Sequence, residues 1–256
     1  MRIATWNVNS LKVRLERVLS WLKTSECDVL CIQETKLAQD SFPAKAFEEL
    51  GFEVAHYGQG QWNGVALVSR LGLSGVKRGL DDYADTEARA ISGICGPLRV
   101  MSVYVPNGRS LDDPHYQYKL RWMHSLLGSI RGELATYPAL VVAGDFNIAP
   151  TDRDVWSTAA YEGATHVSVA ERDQIIQMAN LGMVDLFRHF YQEDKLFSWW
   201  DYRGGSFHKR QGLRIDLMFG SQWVVDRTSW ALIDRNERKG PQPSDHAPVI
   251  VEIAVE

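Results

Sequence analysis

Val141-Val142-Ala143-Gly144-Asp145-Phe146-Asn147 is the stretch from which the fold is read. The run from Ala139 to Ala143 is short, unbroken and valine-rich, which suits a strand buried on both faces. Gly144 allows a turn or a close backbone approach where the strand ends. With the two-residue repeat of a strand, Asp145 and Asn147 share one face and Phe146 points to the other. An acid delivered from a buried strand is costly unless it is paired, hydrogen-bonded or facing a metal. A plain Asp/Asn turn closed by Pro150 explains the same residues, and the stretch alone does not choose between the two.

Working outward, Arg2 to Val8 reads as a strand ending in Asn7-Val8-Asn9, with both asparagines on one face. Ser10 is placed as the N-cap of a helix whose Leu15, Val18, Leu19 and Leu22 form an apolar stripe. Its Lys12, Arg14, Glu16, Arg17 and Lys23 read as a solvated face. Asp28 to Gln33 is a second buried strand that stops at Glu34. Strand, helix and strand predict a parallel pair with a right-handed crossover. Asn7 and Glu34 then fall at one edge, where α/β sheets hold their sites.

Phe42 to Leu50 is expected to be a short helix. Phe52 to Tyr57, Gly64 to Ser69, Gly75 to Arg78, Ala88 to Ile94 and Leu98 to Val105 read as antiparallel strands. The last leads into Tyr104-Val105-Pro106-Asn107-Gly108. Pro114 to Thr136 carries Trp122, Met123, Leu126, Leu127, Ile130 and Leu134 at helical spacing, a long crossover back to the central strand. Asp152 to Trp156 and Glu171 to Leu181 are expected to be helical, Leu213 to Phe219, Trp223 to Asp234 and Val249 to Val255 extended. Phe197 to Gly205 piles aromatics before glycines and then His208-Lys209-Arg210. That composition suits either nucleic-acid contact or an aromatic core edge with a solvated basic turn.

The chain has 256 residues, 45% of them hydrophobic, enough for a sizeable core. No apolar run reaches membrane-spanning length, and the N-terminus lacks the core of a signal peptide. These features, with three cysteines of no zinc-pair spacing, predict a cytoplasmic protein with reduced, buried thiols. The formal charge of −4 counts mildly against a nucleic-acid binder, unless acids gather on a metal and basic residues line a rim.

Asn7, Glu34, Asp145, Asn147, Asp216, Asp245 and His246 each fall at a strand end or the loop beside it. Hard oxygen donors without thiolates select Mg²⁺, with Mn²⁺ as the alternative. The set suits metal-assisted attack of water on a phosphodiester.

The stretches Thr5-Trp6-Asn7-Val8-Asn9, Gln33-Glu34-Thr35-Lys36, Tyr104 to Gly108, Gly144 to Asn147, Gly212 to Asp216 and Ser244 to Pro248 occur in order along the chain. Together they resemble the exonuclease III class of DNA-repair nucleases, whose members act as apurinic/apyrimidinic endonucleases. The resemblance implies an α/β fold, a DNase I-like four-layer sandwich of two mostly antiparallel mixed sheets flanked by helices, as one domain over residues 1–256. It implies Mg²⁺-dependent cleavage of duplex DNA 5′ to abasic sites and removal of nucleotides or blocking groups from 3′ ends, by a monomer that needs no membrane. By the same resemblance Glu34 and Asn7 hold metal, with Asp145, Asn147, Asp245 and His246 beside it. Asp145 activates water, Asn147 and Tyr104 position the phosphate or nucleophile, and His246, oriented by Asp216, contacts the phosphate. Trp199, Leu213 and Ile215 match a pocket for a base-less sugar. Asn107, Arg109, Lys209, Arg210, Arg238 and Lys239 are the DNA-contact candidates. The segment Tyr161 to Glu171 departs from the better-known bacterial members. Phosphatases and sphingomyelinases of the same fold, acting on inositol phosphates or lipids, are the rival; Gln33 to Lys36 and the basic–aromatic loop from Tyr202 to Arg210 speak against them. A DNA-binding relative that has lost catalysis would show a broken acid set, and here the set is complete.

Overall fold

The computed structural model describes residues 1–255. In chain order the strands and helices are β1 (Arg2–Asn7), α1 (Leu11–Thr24), β2 (Val29–Gln33), α2 (Ala44–Glu48), β3 (Glu53–Tyr57), β4 (Val65–Ser69), β5 (Ser74–Arg78), β6 (Ala90–Cys95) and β7 (Leu98–Tyr104). There follow α3 (Pro114–Thr136), β8 (Leu140–Asp145), α4 (Val169–Asn180), β9 (Val184–Asp185), α5 (Leu186–Phe190), α6 (Ser206–Lys209), β10 (Asp216–Gly220), α7 (Gln222–Val225), β11 (Thr228–Ile233) and β12 (Val249–Ile253).

They build two six-stranded sheets, ordered β11-β12-β1-β2-β4-β3 and β5-β6-β7-β8-β10-β9. Each sheet has one parallel pair near its middle, β1 with β2 and β7 with β8, and antiparallel pairs elsewhere. A helix makes each parallel crossover, α1 in the first sheet and α3 in the second, because parallel neighbours cannot be joined by a tight turn. Both pairs therefore end at a common edge, and those two edges carry Asn7 and Glu34 on one side and Tyr104 and Asp145 on the other.

Alternation along β8 shows how the layers are held. Val141 and Ala143 enter the core between the sheets, whereas Leu140, Val142 and then Phe146 pack under α3 with Trp122, Met123, Leu126 and Ile130. Trp6, Leu30 and Ile32 do the same under α1 with Val18 and Leu22. The result is helix, sheet, sheet, helix, the expected four-layer sandwich. A glycine is required at position 144 by close approach rather than by a turn. A Cβ there would lie 1.8 Å from the carbonyl oxygen of Val103 on β7.

Four local expectations are corrected. Ser10 makes no side-chain cap; α1 starts where the N–H groups of Ser10 and Leu11 donate to the carbonyls of Glu34 (2.8 Å) and Thr35 (3.0 Å). Arg14 and Arg17 are not merely solvated. They donate to the carbonyls of Pro243 (3.2 Å) and Pro241 (2.9 Å), holding the loop ahead of Asp245. The segment from Trp223 is not all strand: residues 222–225 are helical, burying Val224 and Val225, before β11 begins at Thr228. Residues 213–215 lie outside the sheet, since β10 starts only at Asp216. Arg214 anchors this segment, its guanidinium bound to Asp154 (2.6 Å) and Asp185 (2.8 Å) in full burial.

Candidate active site

The site is built where the two parallel pairs end. Asn7 closes β1, and its Nδ2 donates to Glu34 Oε1 (2.8 Å) and to Asp145 Oδ2 (2.9 Å). One carboxamide thus ties the first sheet to the second across 138 residues of sequence. Glu34 follows β2 in the left-handed region, with φ 52°, and its carboxylate is paired with Lys36 Nζ at 2.9 Å. Asn9 Oδ1 accepts from the same ammonium at 2.5 Å.

His246 lies against both sheets. Its Nδ1 faces the Asp216 carboxylate at 2.9 and 3.0 Å, and its Nε2 is 3.8 Å from Asp145 Oδ2. Asp216 is fully buried and accepts a further bond from Ser198 Oγ at 2.6 Å. Burial alone would lower the pKa of His246, but Asp216, Asp145 and Asp245 together push it up to about 10. Burial pushes Asp145 up to about 7, with Asp216 and Glu34 adding to the rise and His246 and Asn7 opposing it. At neutral pH His246 is therefore an imidazolium among carboxylates.

Tyr104 ends β7 with the Arg89 guanidinium 4.7 Å from its ring centre. Burial and the neighbouring Glu34 carboxylate hold its phenol well above the ordinary value, so it remains a proton donor. Asn147 has a left-handed backbone, φ 51°, which asparagine tolerates. Its N–H donates to Asp145 Oδ1 (2.9 Å) and its Nδ2 to the Val105 carbonyl (3.0 Å), while its Oδ1 accepts from Asn107 Nδ2 (3.1 Å). Asp245 accepts from Asn9 Nδ2 and from the Trp199 indole N–H, each at 3.0 Å. Burial would raise its pKa, yet His246 and these two bonds keep it below the ordinary value.

Glu34, Asp145 and His246 each offer a ligand atom within 4.8 Å of the others, a cluster able to hold a cation. The donors divide by charge. Glu34 and Asp145 are hard carboxylate ligands beside the Asn7 carboxamide, a set that fits a divalent ion of the magnesium class. His246 is within reach of the same point, and the raised pKa of its ring favours the protonated form, which suits an anion.

The remaining candidates are scattered more widely. Leu213 and Ile215 are buried with Ala149 and Val155, flanked by Tyr161, Val167 and Trp199. Trp199 joins this cluster to the acids, its ring centre 6.4 Å from that of His246. Lys209, Arg210, Lys239, Asn107 and Arg109 are exposed. Arg238 is not available as a DNA contact. It is 7% exposed, donates to the Ser244 carbonyl and lies against the rings of Phe207, Tyr202 and Trp200. Three participants escape sequence reasoning. Ser198 is an ordinary serine in an aromatic run. Lys119 looks like one more helix charge. Asn9 does carry a signal, its alternation with Asn7, but nothing in the sequence pairs it with Asp245.

Fold and site define an enzyme of the nuclease and phosphodiesterase class, built on the two-sheet sandwich. The chain belongs to the Endonuclease/Exonuclease/phosphatase family, whose model matches residues 4–246. It is 30% identical to the Exodeoxyribonuclease III of Haemophilus influenzae, over 98% of this chain and 99% of that protein. It is also 30% identical to the Exodeoxyribonuclease of Bacillus subtilis, over 97% and 98%. Among solved structures it is similar to the 3′ phosphatase NExo from Neisseria bound to a product DNA hairpin, with TM-score 0.98, 38% identity and full coverage of both chains. The AP endonuclease of Archaeoglobus fulgidus superposes with TM-score 0.96 at 32% identity, again over both whole chains.

Proposed function

We propose that this protein is a Mg²⁺-dependent DNA-repair phosphodiesterase, cleaving duplex DNA 5′ to abasic sites and removing nucleotides or blocking groups from 3′ ends. The observation that carries the reading is the placement of His246, its Nδ1 2.9 Å from Asp216, its Nε2 3.8 Å from Asp145 and its ligand atom within 4.8 Å of those of Asp145 and Glu34. It offers a fixed positive donor for a phosphate next to a carboxylate pair for a cation. The full-length likeness to exodeoxyribonucleases, and to a 3′ phosphatase bound to DNA, supports DNA as the substrate.

Glu34 and Asp145, with Asn7, would hold Mg²⁺ (Mn²⁺ serving as well). When bound, the ion withdraws charge from the phosphate and the leaving oxygen. Asp145, held near neutrality, is poised to take a proton from water. The His246 N–H and the Tyr104 hydroxyl donate to phosphate oxygens as negative charge develops there. Asn147 and Asn107 orient the phosphate, and Asp245 holds Trp199 in place. Trp199, half-buried beside His246, would face a sugar that carries no base, which rotates out of the stack at low unstacking cost, while Leu213 and Ile215, sequence candidates for the same pocket, are shielded from solvent and pack behind it. Lys209, Arg210, Lys239 and Arg109 contact the backbone phosphates. The protein works as a monomeric single domain in the cytoplasm; none of its described helices is long and apolar enough to cross a membrane.

The test is a labelled duplex with one abasic analogue, assayed beside a 3′-phosphate duplex, an intact duplex and inositol polyphosphate, with Mg²⁺ or chelator. Incision or 3′-phosphate release in Mg²⁺ alone is expected. Phosphate released from inositol polyphosphate, with every duplex untouched, would overturn the reading.

A further inference from the structure

Lys119 lies in the second turn of α3, and its side chain and that of Glu171 are wholly shielded from solvent. An ammonium has three N–H donors. Here they reach the Asn147 carbonyl (2.6 Å), the Asn107 carbonyl (3.3 Å) and Glu171 Oε1 (2.5 Å). Glu171 gathers the 165–168 segment onto the same point. It accepts from Thr165 Oγ1 (2.8 Å), the His166 N–H (2.9 Å), the Ser168 N–H (3.0 Å) and Ser168 Oγ (2.7 Å). His166 returns to the Asn147 carbonyl through Nδ1 at 2.6 Å. Packing is tight around the pair: a Cβ on Gly108 would lie 2.7 Å from Thr165 Oγ1 and 3.2 Å from Lys119 Cδ.

For stability alone, apolar side chains of similar size commonly replace a buried ion pair at no loss. The ammonium supplies something they cannot, a single charged point that two loop carbonyls must meet. Those carbonyls belong to Asn107 and Asn147, whose carboxamides are bonded to each other at 3.1 Å beside Asp145. Asn147 also sits in the left-handed region, a conformation that surrounding contacts must maintain.

We propose that Lys119 is a positioning residue. By fixing the backbone carbonyls of Asn107 and Asn147, it sets their carboxamides against the reacting phosphate, and Glu171 couples the 165–168 segment to that setting. The inference rests on the phosphoesterase reading above. It makes the 165–168 segment a determinant of how the catalytic edge is held.

The experiment measures kcat and KM on a 3′-phosphate duplex for Lys119→Met, for Lys119→Met/Glu171→Gln, and for Lys119→Met added to Asn147→Ala. A displacement of about 1 Å at a reacting group costs up to about 100-fold, so kcat is expected to fall about 10- to 100-fold with KM nearly unchanged. In the Asn147→Ala background the same substitution should cost less than about twofold, because coupled residues are not additive. Equal losses in both backgrounds would overturn the proposal. The paired variant removes both charges, so it carries the test if Lys119→Met does not fold. If neither folds, the pair serves stability and the proposal fails. Should the wild type show no activity on any duplex, the functional reading falls instead. The side-chain amide NMR signals of Asn107 and Asn147 then decide: movement in the paired variant supports positioning, and unmoved signals refute it.

Discussion

His246 and His166 address the same turn of chain and end up with opposite charge. Both are pushed toward neutrality by burial. Around His246 the carboxylates of Asp216, Asp145 and Asp245 overcome that push and raise the pKa to about 10. Around His166 the Lys119 ammonium adds to burial; the Asn147 carbonyl and Glu171 oppose it without success, and the pKa falls to about 4. One histidine is therefore a cation at pH 7 and the other a neutral hydrogen-bond donor. The side of Asp145 that faces the other sheet carries an excess of acid and can take up a metal and a phosphate. The side of Asn147 that faces α3 is internally neutralised and serves as scaffold. Residue type does not distinguish these regions; the sign of the nearest full charges does.

The comparison breaks most completely when the acids around His246 are removed. Asp145→Asn keeps the shape but loses the proton acceptor, and Glu34→Ala loses an anionic ligand. Each is expected to lower kcat by about 10²- to 10³-fold. Steady-state rates in Mg²⁺ measure this, and excess chelator should silence the wild type. A variant with wild-type rate would remove its residue from the chemistry.

A second test separates His246 from the acid that orients it. His246→Ala should cost about 10²-fold, as for deleting a transition-state donor. Asp216→Ala added to it should cost little more, since the two act as a unit. In Asp216→Asn the imidazole pKa, followed by NMR titration, should fall. An unmoved titration would show that Asp145 and Asp245 alone hold the proton.

A smaller effect is the opposite pH dependence of stability at the two histidines, sought in metal-free protein. The folded pKa of His246 is raised, so its contribution is fully present below the unfolded value of about 6.5 and is lost as pH rises toward 10. For His166 the folded pKa is lowered. Between about 6.5 and 4 the unfolded chain binds a proton that the folded chain does not, so stability falls on acidification. Tm against pH should flatten above neutrality in His246→Gln and below neutrality in His166→Gln. The same slope change in both variants would erase the distinction.

The smallest effect concerns charges outside both clusters. Lys209, Arg210 and Lys239 are solvated, so they act through counterion release. Replacing all three with alanine should reduce the log–log salt slope of duplex binding by about 0.9 for each phosphate that is no longer neutralised, with kcat nearly unchanged. An unchanged slope would make them surface charge only.

Much of this is legible before any coordinates. Buried runs that stop at a polar residue mark β1, β2 and β8, and the two-residue repeat correctly sends Phe146 away from Asp145. The stripe from Trp122 to Leu134 defines α3 to its observed ends. Trp223 fails because apolar residues in a four-residue helix and in a strand look alike over so short a run. Arg238 fails because a basic residue in a polar loop reads as solvated, and only the folded chain brings Phe207, Tyr202 and Trp200 around its guanidinium.

Though not β9, α5, α6 or α7, the sequence by itself determined most of the long elements, the two crossovers, the family and the set of polar groups at the strand ends. These follow from local periodicity and residue chemistry, which each short segment carries on its own. Tertiary structure decided which groups share a charge environment. Asn7 meets Asp145 across 138 residues, and His246 meets Asp216 across 30. Lys119 meets Glu171 and the two asparagine carbonyls only after three loops converge. Electrostatic interaction depends on distance through space and on burial, neither of which is written in the order of the residues. That is why the sequence holds two histidines alike in type and only the fold charges one of them.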